Sequence, residues 1–322
     1  MAQIRFVNAL RDAIGEEMRR DRHVFVMGED VVAAAFGTTA YLVDEFGTQR
    51  VRNTPVSESG FVGAAIGAAM TGMRPIVDMM FSAFLYVAMD QFVSNAAKIH
   101  YMFDGQYKVP VTFICMYSAG SGQGSQHAEC PYTKFMNVPG LKVLLPSTPY
   151  AVKGLLKSAV RDDNPVLLFY HMETARVVGD VPEEDYVIPL GRANIVRNGA
   201  HATVVATGAM VTKAVSVADS MGKEGISVEV IDPQSLVPLD EASIIGSVER
   251  TGRLVVVDEA FGRCGLASEI AAVVGEKAFD SLDAPIKRVT SLDVPVPASP
   301  PMERFVLPGE EKIAQAIREV LG

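Results

Sequence analysis

Short, uniformly apolar runs alternate with stretches of helical periodicity through nearly the whole chain. In the first half, the runs 23–27, 74–80, 109–116, 141–145 and 166–170 are rich in β-branched and aromatic residues and predict strands. Between them, apolar residues recur at helical spacing over 3–20, 59–72, 84–101 and 149–161. The strands are apolar throughout rather than alternating, as in a parallel sheet covered on both faces. The order of elements predicts an α/β fold with a doubly wound, mostly parallel sheet.

Residues 172–202 interrupt this pattern. They are polar, punctuated by Pro and Gly and without sustained periodicity, and they read as a linker into a second domain. Alternation then resumes, with strands at 203–207, 227–232, 253–258 and 286–290 and helices at 211–222, 240–249, 265–279 and 310–321. A Pro-rich extended connector, DVPVPASPP, occupies 293–301. The division predicts domains at 1–185 and 186–322.

One helix differs from the rest. Residues 61–73 read FVGAAIGAAMTGM, with no charge, so this helix is expected to be buried on all sides. It is entered through Thr54-Pro-Val-Ser-Glu58-Ser-Gly60. Glu58 therefore sits where a helix dives into the core, a costly place for a carboxylate without a partner. It is either a cap for the first N–H groups of the helix or a carboxyl kept to touch a ligand.

Composition narrows the classes of function. The chain has 322 residues, 49% hydrophobic and 21% charged, which suits a globular protein of two domains. A net charge of −9 without Lys/Arg runs argues against a nucleic-acid surface or an anionic membrane. Cys115, Cys130 and Cys264 form no C-x-x-C pair, which excludes a disulfide framework or an obvious zinc site and suits a reducing compartment. With neither a secretory pattern nor a spanning apolar run, a soluble, cytoplasmic protein is expected.

Two further segments carry candidate chemistry. The loop after 109–116 holds Gly120, Gly122 and Gly124 and then His127. It lacks the last glycine of a dinucleotide fingerprint and does not follow the first strand, so nicotinamide binding is rejected. His127 is either a solvated loop histidine or a proton donor and acceptor. Phe84, after 74–80, is either core or a platform for a flat heterocycle. The five histidines are scattered without metal-ligand spacing, and no G-x-S-x-G follows a strand.

Taken in order, several segments resemble the β-subunits of thiamine-diphosphate-dependent 2-oxo acid dehydrogenases, the acetoin, pyruvate and branched-chain types included. They are Val26-Met-Gly-Glu-Asp-Val31, Thr54-Pro-Val-Ser-Glu-Ser-Gly60, Gly72-Met-Arg-Pro75, Asp90-Gln91 with Ala96-Ala-Lys98, and Pro139-Gly-Leu-Lys-Val143. The likeness continues through Pro146-Ser-Thr-Pro149, Lys153-Gly-Leu-Leu156, Arg161-Asp-Asp-Asn-Pro165 and Val257-Asp-Glu-Ala260. Acetoin dehydrogenases are closest in texture.

The resemblance implies a thiamine-diphosphate pyrimidine-binding domain followed by a transketolase-type C-terminal domain. It implies a heterotetramer of two α and two β chains, with magnesium and the diphosphate held by α and the aminopyrimidine by β. A lipoyl acyltransferase core is a further implied partner. Consistent with a half-site, the Gly-Asp-Gly…Asn diphosphate motif is missing here. Glu58 matches the cofactor-activating glutamate: a carboxyl in a low-dielectric pocket can share a proton with the pyrimidine nitrogen. Phe84 falls where the family stacks an aromatic on the aminopyrimidine. His127 matches a histidine that helps deliver a proton during acyl transfer to lipoyl. Here, however, Gln126-His127-Ala128-Glu129 replaces Gln-His-Ser-Gln, and 32–36 (VAAAF) lacks the glycines of relatives. A structural potassium in some relatives would fall at Ala159, Asp162 and Asn164. The alternatives are a half-subunit of a carboligase or transketolase, and a non-catalytic structural subunit.

Overall fold

The computed structural model describes residues 1–117 and 119–322. The chain divides into two compact units, one of residues Met1–Tyr117 and Lys134–Leu190, the other of 119–133 and Gly191–Gly322.

The first unit is built on parallel strands in the order Lys142–Leu144, Val166–His171, Thr112–Tyr117, Arg74–Phe81, Val24–Gly28 and Val51–Asn53. Thr112–Tyr117 and Val166–His171 are buried at every position, as their unbroken apolar character predicted. From Val24–Gly28 the chain passes first to Val51–Asn53 on one side and then to Arg74–Phe81 on the other. The order therefore reverses between the carboxyl ends of Val24–Gly28 and Arg74–Phe81, where sheets of this kind open a crevice.

Helix Phe6–Arg20 covers the sheet through Phe6, Ala9, Leu10, Ala13, Ile14 and Met18, buried at helical spacing. It packs on helix Pro149–Arg161, which starts with Pro at its first turn and Thr148 Oγ1 accepting the Ala151 N–H at 3.1 Å. Charge is buried between them, on Glu17 and Lys157: Arg161 bonds Glu17 at 2.6 and 3.0 Å, and Lys157 pairs with Glu16 and with the exposed Asp185. Removing one member of such a pair costs about 3–5 kcal/mol, because the other is left uncompensated.

In the second unit the strand order is Lys287–Ser291, Leu254–Phe261, Ala202–Ala206, Val228–Asp232 and Asn194–Arg197. The last is antiparallel to its neighbour; the other pairs are parallel. Helices Ala209–Lys223 and Glu310–Leu321 supply one apolar layer, with Ala214, Ala218, Ile313 and Ile317 at its centre.

Three expectations need correction. The stretch 172–202 is not a plain linker: Val178–Val181 pairs antiparallel with Ala2–Arg5, and Asn194–Arg197 closes the edge of the second sheet. Helix 84–101 is broken into a 3-10 turn Ser82–Tyr86, a π-turn Gln91–Ala96 and a short α-helix Ile99–Met102. Finally, helix Glu58–Met70 is buried on one face only, leaving Ser59, Gly60, Ala64 and Gly67 exposed. Those residues are too small for their apolar character to signal burial. No helix among the described residues is long and apolar enough to cross a membrane. All three cysteines are free, Cys115 and Cys130 buried and Cys264 exposed.

Candidate functional site

The carboxyl edge of the first sheet gathers polar atoms that the chain itself does not satisfy. Glu29 follows strand Val24–Gly28, Thr54 follows Val51–Asn53 and Ser82 follows Arg74–Phe81. Glu29 Oε1, Thr54 Oγ1 and Ser82 Oγ are buried and find no hydrogen-bond partner among the described residues. Each such group costs about 1–3 kcal/mol unless something meets it. Three on adjacent strands, at the crevice between reversed strands, mark a place prepared for a polar ligand.

Glu58 joins them as the first residue of helix Glu58–Met70, only 8% exposed. Ser57 provides no side-chain cap, and no hydrogen bond or ion pair to the Glu58 carboxylate occurs among the described residues. The capping role is thus not realised. The carboxylate stands at the N-terminal end of that helix. Glu29 holds its proton above the usual carboxylate range, first because burial disfavours its charge and then because Glu58 and Asp30 repel it.

The wall beside these carboxylates is tied together by Asp78, a lone charge inside strand Arg74–Phe81. It is 6% exposed, and it accepts Thr38 Oγ1 at 2.6 Å and the Met80 N–H at 2.9 Å. Burial raises its proton affinity, against these two bonds, which favour the charged form. The loop after Val24–Gly28 is fastened twice more, by Thr39 Oγ1 to the Val31 carbonyl at 2.7 Å and by the Val32 N–H to Asn53 Oδ1 at 2.9 Å. Its Phe36 meets Phe81 edge-on with ring centres 5.3 Å apart, and Phe81 meets Phe84 at 6.0 Å and 87°. Phe84 is only partly buried, so it is not simply core. Ser59 Oγ donates to the Val87 carbonyl at 2.7 Å, which pins the helix start bearing Glu58 to the turn bearing Phe84.

Glu58 and Phe84 are therefore brought onto one wall of the first unit. His127 lies in the second unit, partly buried, its N–H donating to the Gly124 carbonyl at 3.2 Å. A cavity of about 320 Å³ in that unit is lined by Ser125, Glu129, Phe261 and residues 293–296. At 159–164 the turn is held by protein groups. Asp162 accepts from Asn164 at 2.8 and 2.9 Å and from Lys142 at 2.5 Å, and Arg74 donates to the carbonyls of Val160 and Asp162 at 2.9 Å.

Residues 2–177 match the model of the transketolase pyrimidine-binding domain, and 191–313 that of the transketolase C-terminal domain. The chain is 44% identical to the Bacillus subtilis acetoin:2,6-dichlorophenolindophenol oxidoreductase subunit beta, over 98% of this chain and 96% of that one. This chain belongs to the β-subunit family of the 2-oxo acid and acetoin dehydrogenases. Other members are the 2-oxoisovalerate dehydrogenase subunit beta of Bacillus subtilis, 41% identical over 99% of both chains, and the pyruvate dehydrogenase E1 component subunit beta of Rhizobium meliloti, 42% identical over 99% of this chain and 70% of that one. A solved structure titled "Split gene transketolase, inactive beta4 tetramer" shares the fold, with a TM-score of 0.83 at 22% identity over 99% of this chain and 98% of that one.

The residues of the first unit fit the polar edge of an aminopyrimidine: a buried carboxylate, a second carboxyl of raised proton affinity, two hydroxyls and a partly buried aromatic ring. Glu29, Thr54, Ser82 and Asp78 had not been singled out from the sequence. For Asp78 a signal was present, since it is the one charge between Arg74 and Phe81 in an otherwise apolar strand.

Proposed function

We propose that this chain is the β-subunit of a thiamine-diphosphate-dependent 2-oxo acid or acetoin dehydrogenase, an oxidoreductase that passes an acyl group to a lipoyl carrier. The observation carrying this reading is Glu58, a buried carboxylate without a protein partner beside Glu29, at the crevice where the strand order reverses. When bound, thiamine diphosphate supplies the carbon nucleophile and the electron sink for cleavage next to a carbonyl.

The chain's own residues do the rest. Glu58 holds a proton in common with the pyrimidine nitrogen, and its low-dielectric setting strengthens that contact. Glu29, whose proton affinity is raised by burial and by Glu58 and Asp30, stands as a second carboxyl beside it. Phe84 presents its ring to the heterocycle, backed by Phe81 and Phe36. His127 donates a proton in acyl transfer.

The diphosphate and magnesium belong to an α-subunit in a two-α, two-β assembly, and a lipoyl acyltransferase core receives the product. The open small-residue face of helix Glu58–Met70 and the exposed Tyr101 and Met102 offer surface that such association would cover. Residues 1–185 act as the pyrimidine-binding domain and 186–322 as the transketolase-type domain, in a cytoplasmic protein. A potassium ion at Ala159, Asp162 and Asn164 remains part of this reading, in a turn where Lys142 and Arg74 also engage oxygens of Asp162 and Val160.

The test is titration of thiamine diphosphate and magnesium into the chain with and without its α partner, comparing Glu58→Gln with wild type. Turnover should need both chains and fall by roughly 10²–10⁴-fold in Glu58→Gln, the usual range for a positioned acid–base group. A Glu58→Gln pair that turns over normally would end the catalytic assignment and leave a structural subunit.

A further inference from the structure

The glycine-rich loop that leads to His127 is not free to wander. Gly120 and Gly122 adopt φ of +90° and +75°, a conformation L side chains rarely take, and so turn their N–H groups toward a common centre. Concavities of this sort bind anions. Here the anion is supplied by the chain itself. Glu303, in the short helix Pro300–Val306, is 1% exposed; its Oε1 accepts the Gly120 N–H at 2.8 Å and its Oε2 the Gly122 N–H at 2.9 Å.

The segment leading to that helix adds two more contacts. Ser125 Oγ donates to the Val296 carbonyl at 3.0 Å. Ala298 lies so near the loop that Cβ atoms added at Gly122 and Gly124 would come within 3.5 and 3.6 Å of it. The turn presenting His127 is built on this clamped stretch, since the Gly124 carbonyl accepts both the His127 N–H at 3.2 Å and the Ala128 N–H at 3.0 Å.

We propose that Glu303 is the positioning residue for His127: its carboxylate bridges Gly120 and Gly122, and the strap 293–303 thereby sets the histidine for acyl transfer. This rests on the reading of His127 as the proton donor in that step. A carboxylate suits the task because both of its oxygens accept. An amide at this position would turn an N–H₂ group toward one of the two N–H donors. The Pro-rich segment 293–301 then has a purpose, since an extended strap with few conformations holds Glu303 in place at low entropic cost.

The experiment uses the reconstituted α–β pair with wild type, Glu303→Gln, His127→Ala and the double variant. Two rates are measured: turnover linked to dichlorophenolindophenol, which needs no lipoyl acceptor, and acyl transfer to a free lipoyl domain. Glu303→Gln should lower kcat for lipoyl transfer at least ten-fold relative to dye-linked turnover, with KM for the donor substrate unchanged. Combining it with His127→Ala should add no further loss in transfer. Hydrogen exchange at the Gly120 and Gly122 amides should quicken.

Equal loss in both assays, or losses that multiply in the double variant, would overturn the assignment of Glu303. A His127→Ala pair that transfers at the wild-type rate would instead remove the histidine's role and the proposal with it, while leaving Glu58 untouched. Should Glu303→Gln not assemble, Ser125→Ala loosens the same strap more gently. It must show the same selective loss, about two- to three-fold, or the proposal falls.

Discussion

Glu29, just after strand Val24–Gly28, has its proton affinity raised by burial and then by the carboxylate of Glu58 at the start of helix Glu58–Met70. Burial of Glu29 is the larger cause, and both act in the same direction. Folding therefore favours the protonated form of Glu29 over its usual value of 4.5. The sign follows from linkage: this stability is fully present below that pH and is lost as pH rises through the higher folded value. Glu29→Gln removes the loss. In thermal unfolding of the isolated chain, the variant should melt above wild type at pH 7 and level with it below pH 4.5. A constant difference across the range would show that Glu29 does not titrate as described.

Phe84 should be felt in cofactor binding before it is felt in folding, because it is only partly buried. An aromatic contact of this kind contributes about 0.5–1.5 kcal/mol. Phe84→Ala should weaken thiamine diphosphate binding by about two- to twelve-fold in the reconstituted pair, as read by calorimetric titration. Phe84→Tyr should bind close to wild type. Unchanged affinity in Phe84→Ala would show that the ring does not meet the heterocycle.

Thr38 is worth more than a loop threonine usually is. Its hydroxyl is one of two donors to the buried Asp78. Thr38→Val keeps the shape and leaves that carboxyl short of a partner, at a cost of about 1–3 kcal/mol. The melting temperature should fall by roughly 2–4 °C for each kcal/mol, while Thr38→Ser should retain it. Equal melting of Thr38→Val and Thr38→Ser would mean that the hydroxyl carries no weight.

Two glycines should respond in opposite ways to alanine. At Gly28, φ is +155° and a Cβ would stand 2.4 Å from the Asp78 carbonyl oxygen, so neighbouring strands would have to part. Gly28→Ala should cost at least about 1–3 kcal/mol in urea unfolding. Gly67, exposed inside helix Glu58–Met70, has nothing within 4 Å of such a Cβ. Gly67→Ala should stabilise the isolated chain by about 0.5–1 kcal/mol through helix propensity. Reversal of the two signs would contradict the packing described.

Much of the fold was readable before any coordinates. The run 74–80 became strand Arg74–Phe81, and 149–161 became helix Pro149–Arg161, because burial on both faces leaves an unbroken apolar signature and Thr-Pro announces a helix start. Ala2–Arg5 was missed because its exposure alternates and its partner, Val178–Val181, lies at the other end of the first unit. Helix 84–101 was over-read, since apolar spacing alone does not distinguish an α-helix from a series of 3-10, π and α turns. Glu58 could be picked out by its place ahead of an uncharged helix. Glu29, Ser82 and Thr54 could not, since each is ordinary in its own segment.

The sequence by itself determined the alternation of strands and helices, the family and the one carboxylate at a helix entrance, because periodicity and local composition act over a few residues. Tertiary structure alone decided which polar groups end up beside that carboxylate. Strand order sets Gly28 against Asp78, and the loop after Gly28 brings Thr38 back to the Asp78 carboxylate. It likewise decided that Glu303, 183 residues beyond Gly120, closes the loop leading to His127. Such pairings depend on loop closure over long separations, where no local propensity acts and only the packed core holds the partners together.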